Sequence, residues 1–411
     1  MTGAPVILHE TVPGATAALG VWVRSGSADE PADLAGVTHL LEHLLLRRCG
    51  QRTPEAIAEL TDSLGGSVDA FTTREVCAVT AHVPAERLEE AAELVLEAVS
   101  QPVVRADELE LERSVVGAEF DLVQDSPAEV VAELALQACW ADHPLARPVL
   151  GRREVVERLT VSDLVRFHRA RFGSGNQLLV VVAPPGVPLP QALTEAGARG
   201  LKAGRVTHLP PAWRPGVLAE ERDGIEQMYA NLVLPGLPAD HPEIYTLGVL
   251  HQLLGGGASS RLFREMRDRL GLVYEISTAV YAAAPAGVLE IMFSAPTRQA
   301  AACWEVLLGV LAAVGAGAVT EREVELAKQA LLAGVVLGAE GAEALMEAHA
   351  GEWLARHRRF DAAGVCRELE AITPERVRVL AGETVRLENL AGAVCGPRGG
   401  VVLPEDVRRL V

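Results

Sequence analysis

Apolar positions change their period several times along this chain, and each change predicts an element. Residues 18 to 24, Ala-Leu-Gly-Val-Trp-Val-Arg, form a continuous apolar run that predicts a buried strand. A loop, Ser25 to Pro31, follows it. Thr53-Pro-Glu opens a helix, with Thr53 as N-cap and Pro54 at the first helical position, and Gly65-Gly66 closes it. Ser67-Val-Asp-Ala-Phe-Thr-Thr73 and Val76-Cys-Ala-Val-Thr-Ala-His-Val83 alternate and are β-branched, as strands are. Helical spacing then takes over. Leu88, Ala91, Ala92, Val95 and Val99 predict an amphipathic helix over 85–100, and Asp107 to Gln124 a second. Ser126-Pro-Ala-Glu129 reads as a capping box before a third. A helix from about Ser162 and a strand Gln177 to Ala183 complete the first half.

The second half repeats the first. Glu157-Arg-Leu-Thr-Val-Ser-Asp-Leu resembles Glu370-Ala-Ile-Thr-Pro-Glu-Arg-Val. Thr160 and Thr373 differ by 213 positions, as do Asn176 and Asn389, and Gly26 and Gly236 differ by 210. A nearly constant offset is the mark of a duplicated domain. Pro and Gly are dense between Pro184 and Pro215, which places a linker at 201–215 between a first domain at 1–200 and a second at 216–411.

With 411 residues, 49% of them hydrophobic, the chain is long enough to fill two cores. The net charge of -18 is spread along the sequence, which argues against general nucleic-acid binding and against an anionic membrane surface. Six cysteines are dispersed without a C-x-x-C, as free thiols in a reducing compartment would be. The first residues show neither a basic region nor a long apolar stretch, so no signal peptide is expected. No uninterrupted apolar run long enough to span a bilayer is seen either. A cytoplasmic location is the expectation.

Candidate chemistry centres on His39-Leu-Leu-Glu-His43. The surrounding residues are helix formers, with no proline from Leu34 to Cys49. On a helix His39 and His43 stack on one face, and Glu42 borders it. Two imidazoles so spaced can hold one zinc, and a carboxylate beside them can take a proton from zinc-bound water. The order is H-x-x-E-H, the inverse of the commoner H-E-x-x-H. The equivalent stretch of the second half, Tyr245 to Leu254, has His251 but no such motif.

The 107–124 helix offers many carboxylates. Glu108, Glu112 and Glu119 fall on one face together with Val115, Val116 and Val123, a face expected to be buried. Buried carboxylates need a charge partner, and a metal would supply one. Glu110 and Asp121 fall on the solvated side.

These features together resemble the pitrilysin-type family of zinc peptidases, the inverzincins, in its short-chain branch with processing peptidases. In that family a ligating Glu follows H-x-x-E-H by some 76 residues, with another Glu seven before it; those positions here are Glu119 and Glu112. The family's Gly-Ser-x-x-Glu turn has its counterpart in Gly26 to Glu30, and its Gly-Gly-x-x-Asn-Ala-x-Thr segment in Gly65 to Thr72, with Asp69 in place of Asn. The His-Pro-Leu-x-x-Pro-x-x-Gly segment is His143 to Gly151. In the second half Leu254 to Phe263 is similar to the Gly-rich turn and helix, and Arg267 and Tyr274 match a substrate-binding pair. A second departure is Leu46-Arg-Arg-Cys-Gly50, where the family usually has Phe-x-Gly-Thr.

The resemblance implies an α+β fold of two homologous α/β-sandwich domains, each a mixed, largely antiparallel sheet packed with helices. It implies zinc held by His39, His43 and Glu119, with Glu42 as general base and Glu112 orienting a histidine or the metal site. The alternative for Glu112 is a buried ion pair with an arginine. Substrate would add as a strand along Ser67 to Thr73, touching Asp69, Ala70 and Phe71, and Arg267 and Tyr274 would hold it. The activity implied is hydrolysis of short or unfolded peptides in a closed chamber, by a homodimer. The rival is a non-catalytic scaffold or partner subunit of a heterodimer, as some members are. Such subunits usually lose His or Glu positions of the motif, and this chain retains them.

Overall fold

In the computed structural model the described residues are 6–198, 206–401 and 403–408. They form two compact units, each built on a five-stranded mixed sheet. The first sheet contains β1 (Val6–Thr11), β2 (Thr16–Val23), β3 (Ser67–Thr72), β4 (Cys77–Pro84) and β5 (Gln177–Ala183) in the order β1-β5-β2-β4-β3. Strands β1 and β5 are parallel, and the other neighbours are antiparallel. The second contains β6 (Gly216–Arg222), β7 (Gln227–Pro235), β8 (Ile276–Ala282), β9 (Gly287–Pro296) and β10 (Ala391–Pro397) in the order β6-β10-β7-β9-β8. Strand for strand this is the first sheet again, so the duplication read from the offset is a duplication of topology.

Strand β2 reads as an apolar run because both its faces are covered. Leu19, Val21 and Val23 join a core with Leu40, Leu41 and Leu44, while Ala18 and Trp22 join another with Ala342, Met346 and Ala350. The second cover comes from the helix Ala342–Arg356, far along the sequence. The second sheet is treated the same way. The helix Pro127–Trp140 packs on it through Val131, against Ala393 and Cys395 of β10.

This exchange of helices changes the domain boundaries. The first unit is Met1–Asp121, Arg147–His208 and Gly338–Phe360, and the second is Leu122–Ala146, Leu209–Leu337 and Asp361–Val411. The division at 201–215 orders the two copies along the chain but does not bound the compact units. Its cause is the apolarity of both sheet faces, each of which takes one helix from the other half of the sequence. Of the expected linker, 201–205 lie outside the described residues and 206–215 carry no helix or strand.

The other elements fall close to their predicted places. Thr53 Oγ1 accepts from the amide of Ala56, and Gly65 ends that helix at φ +71°. Strand β1, without a clean alternation, was not signalled. The helical stretch Thr297–Gly315 is long and apolar enough to cross a membrane by length and composition. Glu305 interrupts its apolar run. Cys303, Trp304, Leu307 and Leu311 turn one face of it into the core of the second unit.

Candidate metal centre

The helix Val37–Leu45 carries both histidines. Leu40, Leu41, Leu44 and Leu45 are fully buried and anchor it, each worth roughly 1.5–3 kcal/mol. His39, Glu42 and His43 are left on the other side, half-buried. The free amides at the helix start go to Glu30, whose two oxygens accept from Gly36 and Thr38 at 2.7 Å each. The Gly26–Glu30 turn is therefore a cap for the histidine helix. Burial pushes the Glu30 carboxyl up to about 7, against the pull of those amide bonds and of Arg147.

Opposite lies the helix Ala106–Asp125, and its three inward carboxylates divide the available partners. Glu108 pairs with Arg48 at 2.9 Å. Glu112 bridges two groups, with Oε2 3.2 Å from His43 Nδ1 and Oε1 3.2 Å from Arg47 Nη1. Glu112 therefore touches both a histidine of the motif and an arginine. Glu119 faces both histidines: Oε2 is 3.5 Å from His39 Nε2, and Oε1 is 3.5 Å from His43 Nε2. Val116 is buried on this face as expected, but Val115 is 42% exposed, because it lies a quarter turn away toward solvent.

Tetrahedral zinc with ligands near 2.0–2.1 Å requires neighbouring donor atoms about 3.4 Å apart. Each Nε2 lies near that separation from one Glu119 oxygen, His39 from Oε2 and His43 from Oε1. The donor atoms of His39, Glu42 and His43 also lie within 4.8 Å of one another. Burial, then the neighbouring His43, lowers the His39 pKa to about 4, so its ring is neutral with a lone pair to give at neutral pH. Its Nδ1 is buried with no hydrogen-bond partner among the described residues. The donor set fits a single divalent ion.

Glu42 is raised above the usual carboxylate range, chiefly by burial. The Thr72 hydroxyl opposes the shift from nearby, although it makes no hydrogen bond of good geometry to the carboxylate. His43 opposes it as well, and Glu119 adds to it. Thr72 ends β3, which pairs with β4 alone and has its other edge unpaired among the described residues. Ser67, Asp69 and Phe71 are exposed, and Ala70 and Thr72 alternate with them on the half-buried side. Asp69 stands opposite Thr80.

Arg267 and Tyr274 belong to the second unit. Arg267 lies in a π-helical turn, Phe263–Arg269. Its guanidinium sits 4.7 Å from the Phe263 ring centre and 5.4 Å from that of Tyr274. Together with Gly255 to Gly257 and Ser277 they line a cleft of about 430 Å³. Tyr274 is 82% exposed, so it is not a core tyrosine. In the copy of the histidine helix, His251 bonds to Thr278 Oγ1 at 2.7 Å. A larger cavity of about 1090 Å³ in the first unit, around Leu96, His168 and Phe172, contains none of these donors.

Glu30, Thr72, Arg47 and Arg48 are the contributors that sequence reasoning did not assign. The two arginines were visible as a departure from the family pattern, and Glu30 as part of a motif without a stated role.

The chain matches the family model for insulinase (peptidase family M16) over residues 5–153, and that for the peptidase M16 inactive domain over 158–331. It is 32% identical to an uncharacterized zinc protease of Mycobacterium leprae, covering 100% of this chain and 94% of that one. It is 33% identical to an uncharacterized zinc protease of Mycobacterium tuberculosis, covering 100% and 95%. Among solved structures, the peptidase M16 inactive domain from Pseudomonas fluorescens superposes with a TM-score of 0.87 at 18% identity, over 98% of this chain and 97% of that one; this likeness concerns the fold.

Proposed function

The chain belongs to peptidase family M16, and from that premise we propose that it is a zinc-dependent endopeptidase acting on short or unfolded peptides. The observation that carries the reading is the convergence of His39 Nε2 and His43 Nε2 on the Glu119 carboxylate at 3.5 Å. The relatives at 32% and 33% identity are named zinc proteases, which supports zinc as the ion.

Zinc, when held by His39, His43 and Glu119, supplies a Lewis acid for the scissile carbonyl and acidifies the attacking water. Glu42 takes the proton from that water and returns it to the leaving amine. Glu112 accepts a hydrogen bond from Nδ1–H of His43, which fixes the tautomer that leaves the Nε2 lone pair free. The unpaired edge of β3 accepts an extended peptide backbone beside Asp69, Ala70 and Phe71, and Thr72 brings that edge to Glu42. Arg267 and Tyr274 donate hydrogen bonds to the peptide backbone. The restriction to short or unfolded chains, through an enclosed chamber in a homodimer, is part of the proposal. So is a cytoplasmic setting, for which the six unpaired cysteines give support.

Elemental analysis joined to a peptide-library digest tests the reading. About one zinc per chain and cleavage that stops on chelation are expected. A zinc-free chain that still cleaves, or a zinc-bearing chain with no peptidase activity, contradicts it.

A further inference from the structure

We propose that the Arg48–Glu108 ion pair is a positioning device that sets the register of the glutamate-bearing helix against the histidine helix, and so pre-forms the metal site. The inference rests on the zinc reading above. Arg48 stands where the family pattern usually has Gly, so that pattern does not itself supply the pair.

The segment between the two ligand-bearing elements is stitched on both sides. The amide of Gly50 donates to the Gln101 carbonyl and that of Val103 to the Arg48 carbonyl, each at 2.9 Å. Glu108 lies five residues past Val103, in the first turn of its helix. Arg48 Nη2 and Nε reach Glu108 Oε1 at 2.9 and 3.1 Å, and Nε reaches Oε2 at 3.4 Å. Glu108 is 7% exposed and the Arg48 side chain 23%, so the contact is partly shielded from water.

Register matters because the ligand is remote from the tie. Glu119 lies eleven residues beyond Glu108 on the same helix. Each residue of slip moves a helix about 1.5 Å along its axis and turns it about 100°. A slip of one residue would take Glu119 away from both Nε2 atoms. On its other side the helix is tied by Arg113, which donates to the carbonyls of Val156 and Leu159. On the side facing the histidine helix Arg48 meets Glu108, Arg47 meets Glu112, and Glu112 also meets His43; of these contacts the Arg48–Glu108 pair is the one whose carboxylate involves no histidine. Arg48 and Glu108 touch no proposed ligand, so the pair acts through the helix.

Zinc dissociation constants, measured by chelator competition, test this on wild type, Arg48→Ala, Glu108→Gln and the double variant, with Tm of each metal-free form. Each single change is expected to weaken zinc about tenfold, the scale of a lost outer-shell contact. The double variant is expected to be no weaker than either single, since both remove one interaction. Saturating zinc should restore most of kcat/KM. Unchanged zinc affinity with a lowered Tm would overturn the inference, because the pair would then hold the fold alone. Effects that multiply in the double variant would overturn it too. Glu108→Gln keeps size and hydrogen bonding and stands in should Arg48→Ala fail to fold. A wild-type chain that takes up no zinc overturns the peptidase reading and this inference together, whereas zinc-loaded wild type with undisturbed variants overturns the inference alone.

Discussion

His43 Nδ1 stands 3.2 Å from Glu112 Oε2, so the ring's other nitrogen, Nε2, is the one turned to Glu119. One carboxylate thereby decides which lone pair of a proposed ligand is available. Glu112→Gln keeps the shape but loses the charge that holds the Nδ1 proton. Zinc affinity should fall about 10–100-fold, while the fold persists. Chelator competition on the purified variant measures this, and wild-type affinity would remove Glu112 from the site.

One contribution to the pH dependence of the metal-free protein comes from His39. Its folded pKa of about 4 lies below the ordinary value of 6.5. Between those values this residue carries a proton in the unfolded chain and not in the folded one, so its contribution to stability falls as pH drops from about 6.5 to about 4. The full shift corresponds to on the order of 3 kcal/mol. Thermal melts in chelator at pH 7 and pH 4.5 should show a smaller acid loss for His39→Gln than for wild type. Parallel losses would contradict the assignment of a buried neutral ring.

Arg267 and Tyr274 should matter to peptide hydrolysis and not to metal content. Tyr274→Phe keeps the ring under the guanidinium and removes the hydroxyl alone. Arg267→Ala and Tyr274→Phe should each leave zinc and Tm nearly unchanged and lower kcat/KM about tenfold, as loss of a hydrogen bond to substrate does. Steady-state kinetics on a cleavable peptide decides it, and wild-type values for both variants would return them to plain surface residues.

Legibility in the sequence followed the range of the forces involved. The Thr53 cap, the Gly65 stop and the β5 run were readable because each is set by neighbours in the chain. The repeated sheet was readable through the offset of Thr160 and Thr373. The exchange of Pro127–Trp140 and Ala342–Arg356 was not, because their spacing shows an apolar face without saying which sheet it will meet. At the site, helical spacing put Glu108, Glu112 and Glu119 on one face but could not divide them among Arg48, Arg47 and the histidines. That division depends on where the turn after Leu45 delivers its side chains. Thr72 was likewise a strand residue until β3 was seen to run up to Glu42.

Glu42→Gln tests the central claim most directly, because Glu42 neighbours a proposed ligand in sequence yet is assigned to proton transfer and not to the ion. Zinc content and turnover of a cleavable peptide are measured on the same preparation of variant and wild type. The account predicts about one zinc per chain in both, with turnover of the variant lower by roughly 10²–10⁴-fold, the scale of a lost general base. A Glu42→Gln protein that holds zinc and cleaves peptide at the wild-type rate would contradict it.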